Sequence, residues 1–259
     1  MRVDPRFEAS RGHGWWFRRW AGPRVRAGVT DRHTDLARLL CEVEPPVTAV
    51  EAEQVHGGSV AVIERADEAT LRLAPPRRSG VGSLRIPPHG QSPWGSTSAV
   101  PGADALVTRV PGIALCVRSA DCVPIFVADP PRGVVGIAHA GWRGVVASLP
   151  ARVISVLRHA YHSRASDLQI AIGPAIRVCC YEVGPEFAER FGPFVQERDG
   201  RRTCDLVGVA RAQLLLCGVR PDRVLDSGRC TACEAQHWFS LRREGPSAGR
   251  LTSLILLRP

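Results

Sequence analysis

The chain contains no lysine and no asparagine, so all 34 of its basic residues are arginine and the formal charge of +9 rests on arginine alone. Such a bias reflects a GC-rich coding sequence rather than selected basic chemistry. The arginines never run longer than a pair. A nucleic-acid footprint clusters its cations on one face or helix, so no nucleic acid is expected as a partner. A few of these arginines suit an anionic ligand such as phosphate. Long apolar runs are missing too: none approaches the roughly 20 residues that span a bilayer, and no membrane partner is expected. The first 20 residues are basic but lack the apolar core of a secretory signal. A cytoplasmic protein is the expectation, as monomer or homodimer.

Histidine is sparse, at eight residues, and the nine cysteines show no second CxxC or paired histidines beside Cys230 and Cys233. That lone CxxC is half a zinc ribbon and reads as incidental thiols. Cys41, Cys116 and Cys217 lie in apolar surroundings and read as small core residues. In 259 residues, 44% hydrophobic and 23% charged, the chain has the composition of a globular protein able to bury a sizeable core.

Residues 1–24 read as a poorly ordered extension and 25–259 as one domain. Strands are expected at 25–30, 47–54 and 59–64, with a short helix at 34–40 capped near Thr34. From about 65 to 102 the pattern dissolves into proline, glycine and serine, which reads as a mobile insertion. Four short apolar runs then follow within 40 residues, separated by turn signals, as in a closely connected sheet. Residues 142–162 have helical periodicity interrupted by Pro150, so a break is expected near Ser148-Leu149. A strand at 168–173, helices at 185–191 and 205–219, and strands at 223–227 and 250–257 complete the reading. The mixture predicts an α+β fold with mixed sheets, not a doubly wound one.

Three positions put a metal-ligand side chain at a strand end beside turn residues: His56, Cys122 and His139. Two imidazoles and a thiolate suit zinc and leave a fourth position open, as in catalytic sites. The spacing by itself leaves a second reading open, with His139 a hydrogen-bonded core histidine and Cys122 a buried thiol. Arg143, four residues after His139, is the first candidate for an anion, helped by backbone N–H groups if a helix starts at Trp142; a structural salt bridge is the alternative. Asp121 suits either proton transfer or turn capping. Glu182 suits an acid or base role, or an exposed strand end. Cys179 and Cys180 are adjacent, so strand alternation lets at most one face a site.

The run DALVTRVPGIALCVRSADCVPIFVADPPRGVVGIAHAGWRG (104–144) closely resembles the YfiH-like family, also called laccase-domain or multicopper polyphenol oxidase proteins and purine nucleoside phosphorylases. The resemblance continues at QVHGGSV (54–60), IGPAIRVCCYEVGPE (172–186) and CTACEAQHWFSLRREGPSAGR (230–250). It implies a layered α/β/β/α fold in which His56, Cys122 and His139 bind the metal, usually assigned as zinc with copper as the other candidate. It also implies metal-dependent phosphorolysis of adenosine, inosine or methylthioadenosine, with an accompanying adenosine deaminase activity. The chain departs from the family pattern at Arg177, where a glycine is expected, at Ala210 and at Leu241.

Two other activities attach to the same resemblance. A copper-dependent polyphenol oxidase needs several coupled coppers and more histidines than eight, and one three-ligand site is visible. A hydrolase that edits peptidoglycan precursors is the other, and on it these residues are silent; an older view of the fold as a cysteine hydrolase would make Cys122 the nucleophile with His139 as base.

Overall fold

The computed structural model describes residues 4–10, 12–43, 47–65, 70–74, 82–85, 98–198 and 200–258. Among these residues, two large mixed sheets stack face to face. The first has seven strands in the order Phe7–Ser10, Gly14–Phe17, Val25–Val29, Leu251–Leu257, Ile113–Ser119, Thr48–Ala52 and Ser98–Val100. The second has eight: Val224–Asp226, Gln169–Ile172, Val123–Asp129, Val134–Ala140, Ala105–Thr108, Val60–Arg65, Thr70–Ala74 and Gly82–Arg85. Helices cover the outer faces, giving the α/β/β/α layering of the expected α+β class.

Each interface between layers has its own apolar core. Between the sheets lie Val29, Val50, Leu115, Phe126, Ile137 and Trp238. Beyond the second sheet, Val123, Ile125, Val127 and Ala138 meet Leu149, Val153, Leu157 and Leu214 of the helices. Beyond the first, Leu39 and Leu40 pack on Trp16, Ala114 and Leu254. The strand Val123–Asp129 is therefore apolar at nearly every position, because both its faces are covered. Alternation sorts its residues, with Phe126 and Ala128 between the sheets and Ile125 and Val127 toward the helices.

The expected helix break is present. Trp142–Val146 and Leu149–Tyr161 are separate helices, and Ser148 between them takes a left-handed φ of 58°. Pro150 thus sits in the first turn of the second helix, where no N–H is required. The short helix Leu36–Leu40 is capped by Asp35, whose carboxylate accepts from the Arg38 N–H at 2.9 Å, rather than by Thr34. Thr34 instead binds Asp31.

Two segments read from the sequence as irregular hold paired strands among their described residues. Much of residues 1–24 is an edge hairpin: Phe7–Ser10 pairs with Gly14–Phe17, which pairs with Val25–Val29. Phe7, Trp15, Phe17 and Trp20 are buried against the inter-sheet core, with Trp15 5.2 Å from Trp238 between ring centroids. The aromatic content of GWWF outweighs its charged flanks. Within the expected insertion, Thr70–Ala74, Gly82–Arg85 and Ser98–Val100 are paired strands. Residues 66–69, 75–81 and 86–97 of it lie outside the described residues. Cys116 is buried as expected, but Cys41 is exposed at a helix end and Cys217 only partly buried.

Candidate metal centre

His139 and Cys122 meet at one end of the second sheet because of strand register. His139 lies on Val134–Ala140 directly opposite Pro124, and Val123 is opposite Ala140. By alternation His139 shares the face of Val135 and Ile137, which looks toward the first sheet. Cys122 immediately precedes its strand. His56 comes from the loop after Thr48–Ala52 of the first sheet, so the three residues converge where the sandwich opens. Their ligand atoms all lie within 4.8 Å of one another.

The backbone is strained to achieve this. Gln54, His56 and Asp121 all adopt positive φ, at 67°, 60° and 90°, a conformation that costs non-glycine residues of the order of 1–3 kcal/mol each. Gly141 explains part of the HAGWRG motif. A Cβ there would meet the Cys122 Sγ at 3.0 Å and the His56 ring at 3.5 Å. At Gly144 a Cβ would meet the Gly57 carbonyl at 3.1 Å. Both glycines let the His56 loop and the Cys122 turn close onto the Trp142–Val146 helix.

The donor chemistry fits a cation. His139 is buried, and its Nε2 has no hydrogen-bond partner among the described residues. The Gln54 Nε2 lies 2.7 Å from the His139 Nδ1. Gln54 occupies Nδ1, which leaves Nε2 as the ring atom available to an ion. A buried polar atom left without a partner costs about 1–3 kcal/mol, which a bound cation would relieve. Gln54, unremarked in the sequence, holds this node: its amide donates to the Arg118 carbonyl at 2.6 Å and accepts from the Arg118 N–H at 2.7 Å.

Burial and the neighbouring His56 imidazole hold His139 down to about 4, and burial pushes the Cys122 thiol up to about 12. These opposite shifts disfavour a thiolate–imidazolium pair, so a cysteine nucleophile with His139 as base is poorly supported. A metal ion reverses the balance, since it stabilises the thiolate and needs the imidazole neutral.

Asp121 is engaged structurally. Its Oδ1 accepts from the Thr231 hydroxyl at 2.6 Å, its Oδ2 from the Arg242 N–H at 2.7 Å, and its carbonyl from the Ile176 N–H at 3.0 Å. Arg143 is exposed, with its guanidinium 4.4 Å from the Trp142 ring centroid, and among the described residues no carboxylate pairs with it. The helix expected at Trp142 does begin there, though it has only five residues. Glu182 sits at the surface, with its carboxylate 3.1 Å from Arg201. Two further groups are coupled to the centre by charge: Arg250, which acts on both Cys122 and His139, and Tyr181, whose hydroxyl pKa is raised by burial and by Cys122. Single residues of these types in a loop carry no spacing signal.

A second group of metal-ligand side chains is present. Cys179, Cys180, Cys230 and Cys233 also lie with all ligand atoms within 4.8 Å. The CxxC is not alone, and both adjacent cysteines reach it. Residues 178–180 form a turn, not a strand, so alternation does not separate them. Of the departures noted in the sequence, Arg177 is buried and doubly bonded to Asp226 at 2.8 and 2.6 Å. Ala210 is buried in the helical core, and Leu241 is exposed.

Comparison with known proteins agrees with this architecture. Purine nucleoside phosphorylase YlmD of Geobacillus stearothermophilus is 32% identical over 212 residues, which cover 78% of this chain and 70% of the relative. A purine nucleoside phosphorylase of Deinococcus radiodurans is 41% identical over 157 residues, 59% of this chain and 60% of its own length. An adenosine deaminase from an unknown prokaryotic organism is 36% identical over 162 residues, 59% of this chain and 62% of that protein. The crystal structure of YlmD from Geobacillus stearothermophilus superposes with a TM-score of 0.80 at 27% identity, covering 98% of this chain and 99% of that one. The model of the family described as multi-copper polyphenol oxidoreductase laccase matches residues 26–258, and the chain belongs to that family.

Proposed function

We propose that this chain is a metal-dependent purine nucleoside phosphorylase, acting on adenosine, inosine or methylthioadenosine with phosphate, and that it also deaminates adenosine. The observation that carries the reading is the convergence of His56, Cys122 and His139 around a buried, unpartnered imidazole nitrogen, in a chain similar to proteins named for these two activities. Zinc fits the donor set, with three protein ligands and one position open. Bound there, the ion would act as a Lewis acid that polarises a substrate oxygen.

The chain's own residues supply the remainder. Arg250 lies close enough for its charge to act on the two buried ligands, and Arg143, unpaired among the described residues, stands beside the loop that follows His139. Two guanidiniums suit a phosphate, which they can grip through paired N–H donors. The phosphate they hold would place its negative charge beside the glycosidic carbon as that carbon gains oxocarbenium character. Asp121 serves as a positioning residue, holding the turn that carries Cys122 through its bonds to Thr231 and Arg242.

Copper oxidation of phenols is the second reading, because two histidines and a cysteine are also the in-plane ligands of mononuclear copper sites. The four-cysteine group adds no imidazoles, and multicopper oxidation depends on them. One pair of incubations separates the readings. Zinc-loaded protein with adenosine and phosphate is expected to release adenine and ribose 1-phosphate. Copper-loaded protein with a phenol is expected to consume no oxygen. Oxygen uptake without nucleoside turnover would reverse the assignment.

A further inference from the structure

The four-cysteine group stands apart from the ligands of the first centre. Cys179 and Cys180 lie in the turn that follows Gln169–Ile172, and Cys230 and Cys233 in the loop that follows Val224–Asp226. These two strands are parallel neighbours at the edge of the second sheet. The Cys179 Sγ is 3.6 Å from that of Cys230 and 3.5 Å from that of Cys233, and the Cys180 Sγ is 3.3 Å from that of Cys233. We infer that Cys179, Cys180, Cys230 and Cys233 form a second, structural metal site that binds one soft divalent cation, zinc, and fastens these two loops together.

The sulfur geometry supports an ion over disulfides. Zinc held by four thiolates at about 2.3 Å sets the sulfurs roughly 3.8 Å apart. The observed separations are close to that value. A disulfide would need one pair brought to about 2.05 Å. Here Cys179 is within 3.6 Å of two sulfurs, and Cys233 likewise, so no single pairing is selected. A shared central atom is what such an arrangement accommodates. Four thiolates also close the coordination sphere, which marks a structural site.

The surroundings are built for a thiolate-rich centre. The Cys230 backbone is fixed by its N–H, which donates to the Glu234 carboxylate at 3.2 Å, the kind of secondary hydrogen bond that orients metal ligands. The CxxC loop is held by Arg243, whose guanidinium donates to the carbonyls of Thr231 and Ala232 at 2.7 and 2.8 Å. Arg177 donates to the Arg229 carbonyl at 3.1 Å. Both cations lie beside a site that would carry net negative charge when four thiolates hold a divalent ion.

The position gives the site a purpose. Thr231, between Cys230 and Cys233, donates to the Asp121 carboxylate, and the Ile176 N–H from the other loop donates to the Asp121 carbonyl. Asp121 precedes the ligand Cys122. A metal joining the two loops would therefore hold both clamps on the turn that presents Cys122.

Metal analysis of the full chain loaded with zinc chloride tests this, using His139→Ala to disable the first centre. His139→Ala is expected to retain about one zinc per chain, and to lose it when Cys179→Ser and Cys233→Ser are added. Both of these thiols are exposed, so the combined variant should keep its circular dichroism. Cobalt loaded into His139→Ala in place of zinc should show the sulfur-to-cobalt charge-transfer absorption of a tetrathiolate, a readout that needs no cysteine variant. Equal zinc in the presence and absence of the two serines would overturn the inference. So would disulfides among the four residues in the unreduced, zinc-loaded chain. None of these readouts depends on nucleoside turnover.

Discussion

The Asp121 carboxylate accepts a 2.6 Å hydrogen bond from the hydroxyl of Thr231, 110 residues further along the chain. With the Arg242 N–H on its other oxygen, the carboxylate has both acceptors occupied by the walls of the site. Asp121→Asn would turn an NH2 toward one of these donors. The expected cost is about 1–3 kcal/mol of stability, with weaker zinc binding at the Cys122 centre. Chemical denaturation and chelator competition measure the two effects. A fall in kcat with stability and zinc affinity unchanged would instead identify Asp121 as a proton-transfer group.

Gly141 governs how closely Cys122 and His56 approach. In Gly141→Ala the new methyl would lie 3.0 Å from the Cys122 Sγ, so the thiolate must move. Zinc affinity should drop roughly tenfold or more, as when a ligand's orientation is lost. The thermal transition of the metal-free chain should shift far less. Unchanged affinity would mean that the turn relaxes freely.

Acid should destabilise the metal-free protein through His139. In the folded state its pKa is lowered to about 4, against 6.5 for the free side chain. Between those values the unfolded chain binds the extra proton, so stability falls as pH falls through this window and levels off below it. The full difference amounts to about 3 kcal/mol. Urea titrations from pH 7 to 4 should show this slope in the wild type and lose most of it in His139→Ala. Parallel slopes would show that other groups dominate.

Arg143 and Arg250 are expected to act on phosphate more than on the purine. Each change to alanine should raise the KM for phosphate by roughly ten- to a hundredfold, in line with 1.5–3 kcal/mol for a charge-assisted hydrogen bond. Steady-state kinetics at saturating adenosine, with zinc content checked in parallel, test this. A rise confined to the adenosine KM would move both residues to the nucleoside.

Trp15 tests whether the N-terminal hairpin belongs to the domain. It is buried and packs on Phe7 and Trp238. Trp15→Ala should destabilise the chain by about 3–5 kcal/mol while leaving zinc content intact. A loss below about 1 kcal/mol would return these residues to the status of a loose extension.

The strands at 25–29, 113–119, 123–129, 134–140 and 251–257 were legible because their apolar runs are short and bounded by turn residues. The helix break at Ser148 was legible from Pro150. The hairpin at 7–17 was hidden, because its arginines and glycines obscure a strand whose aromatic residues are buried only once Trp238 arrives from the far end of the chain. In the metal centre, the ligand types at strand ends were visible, and the family resemblance turned them into a set.

By itself, then, the sequence determined the local elements and the donor residues, since alternation, turn chemistry and ligand type are properties of neighbouring positions. Tertiary structure alone decided which donors meet. His56 and Cys122 are 66 residues apart, and Cys180 and Cys230 are 50. Only strand register and loop closure bring such pairs within a few ångströms, and no local signal encodes that distance.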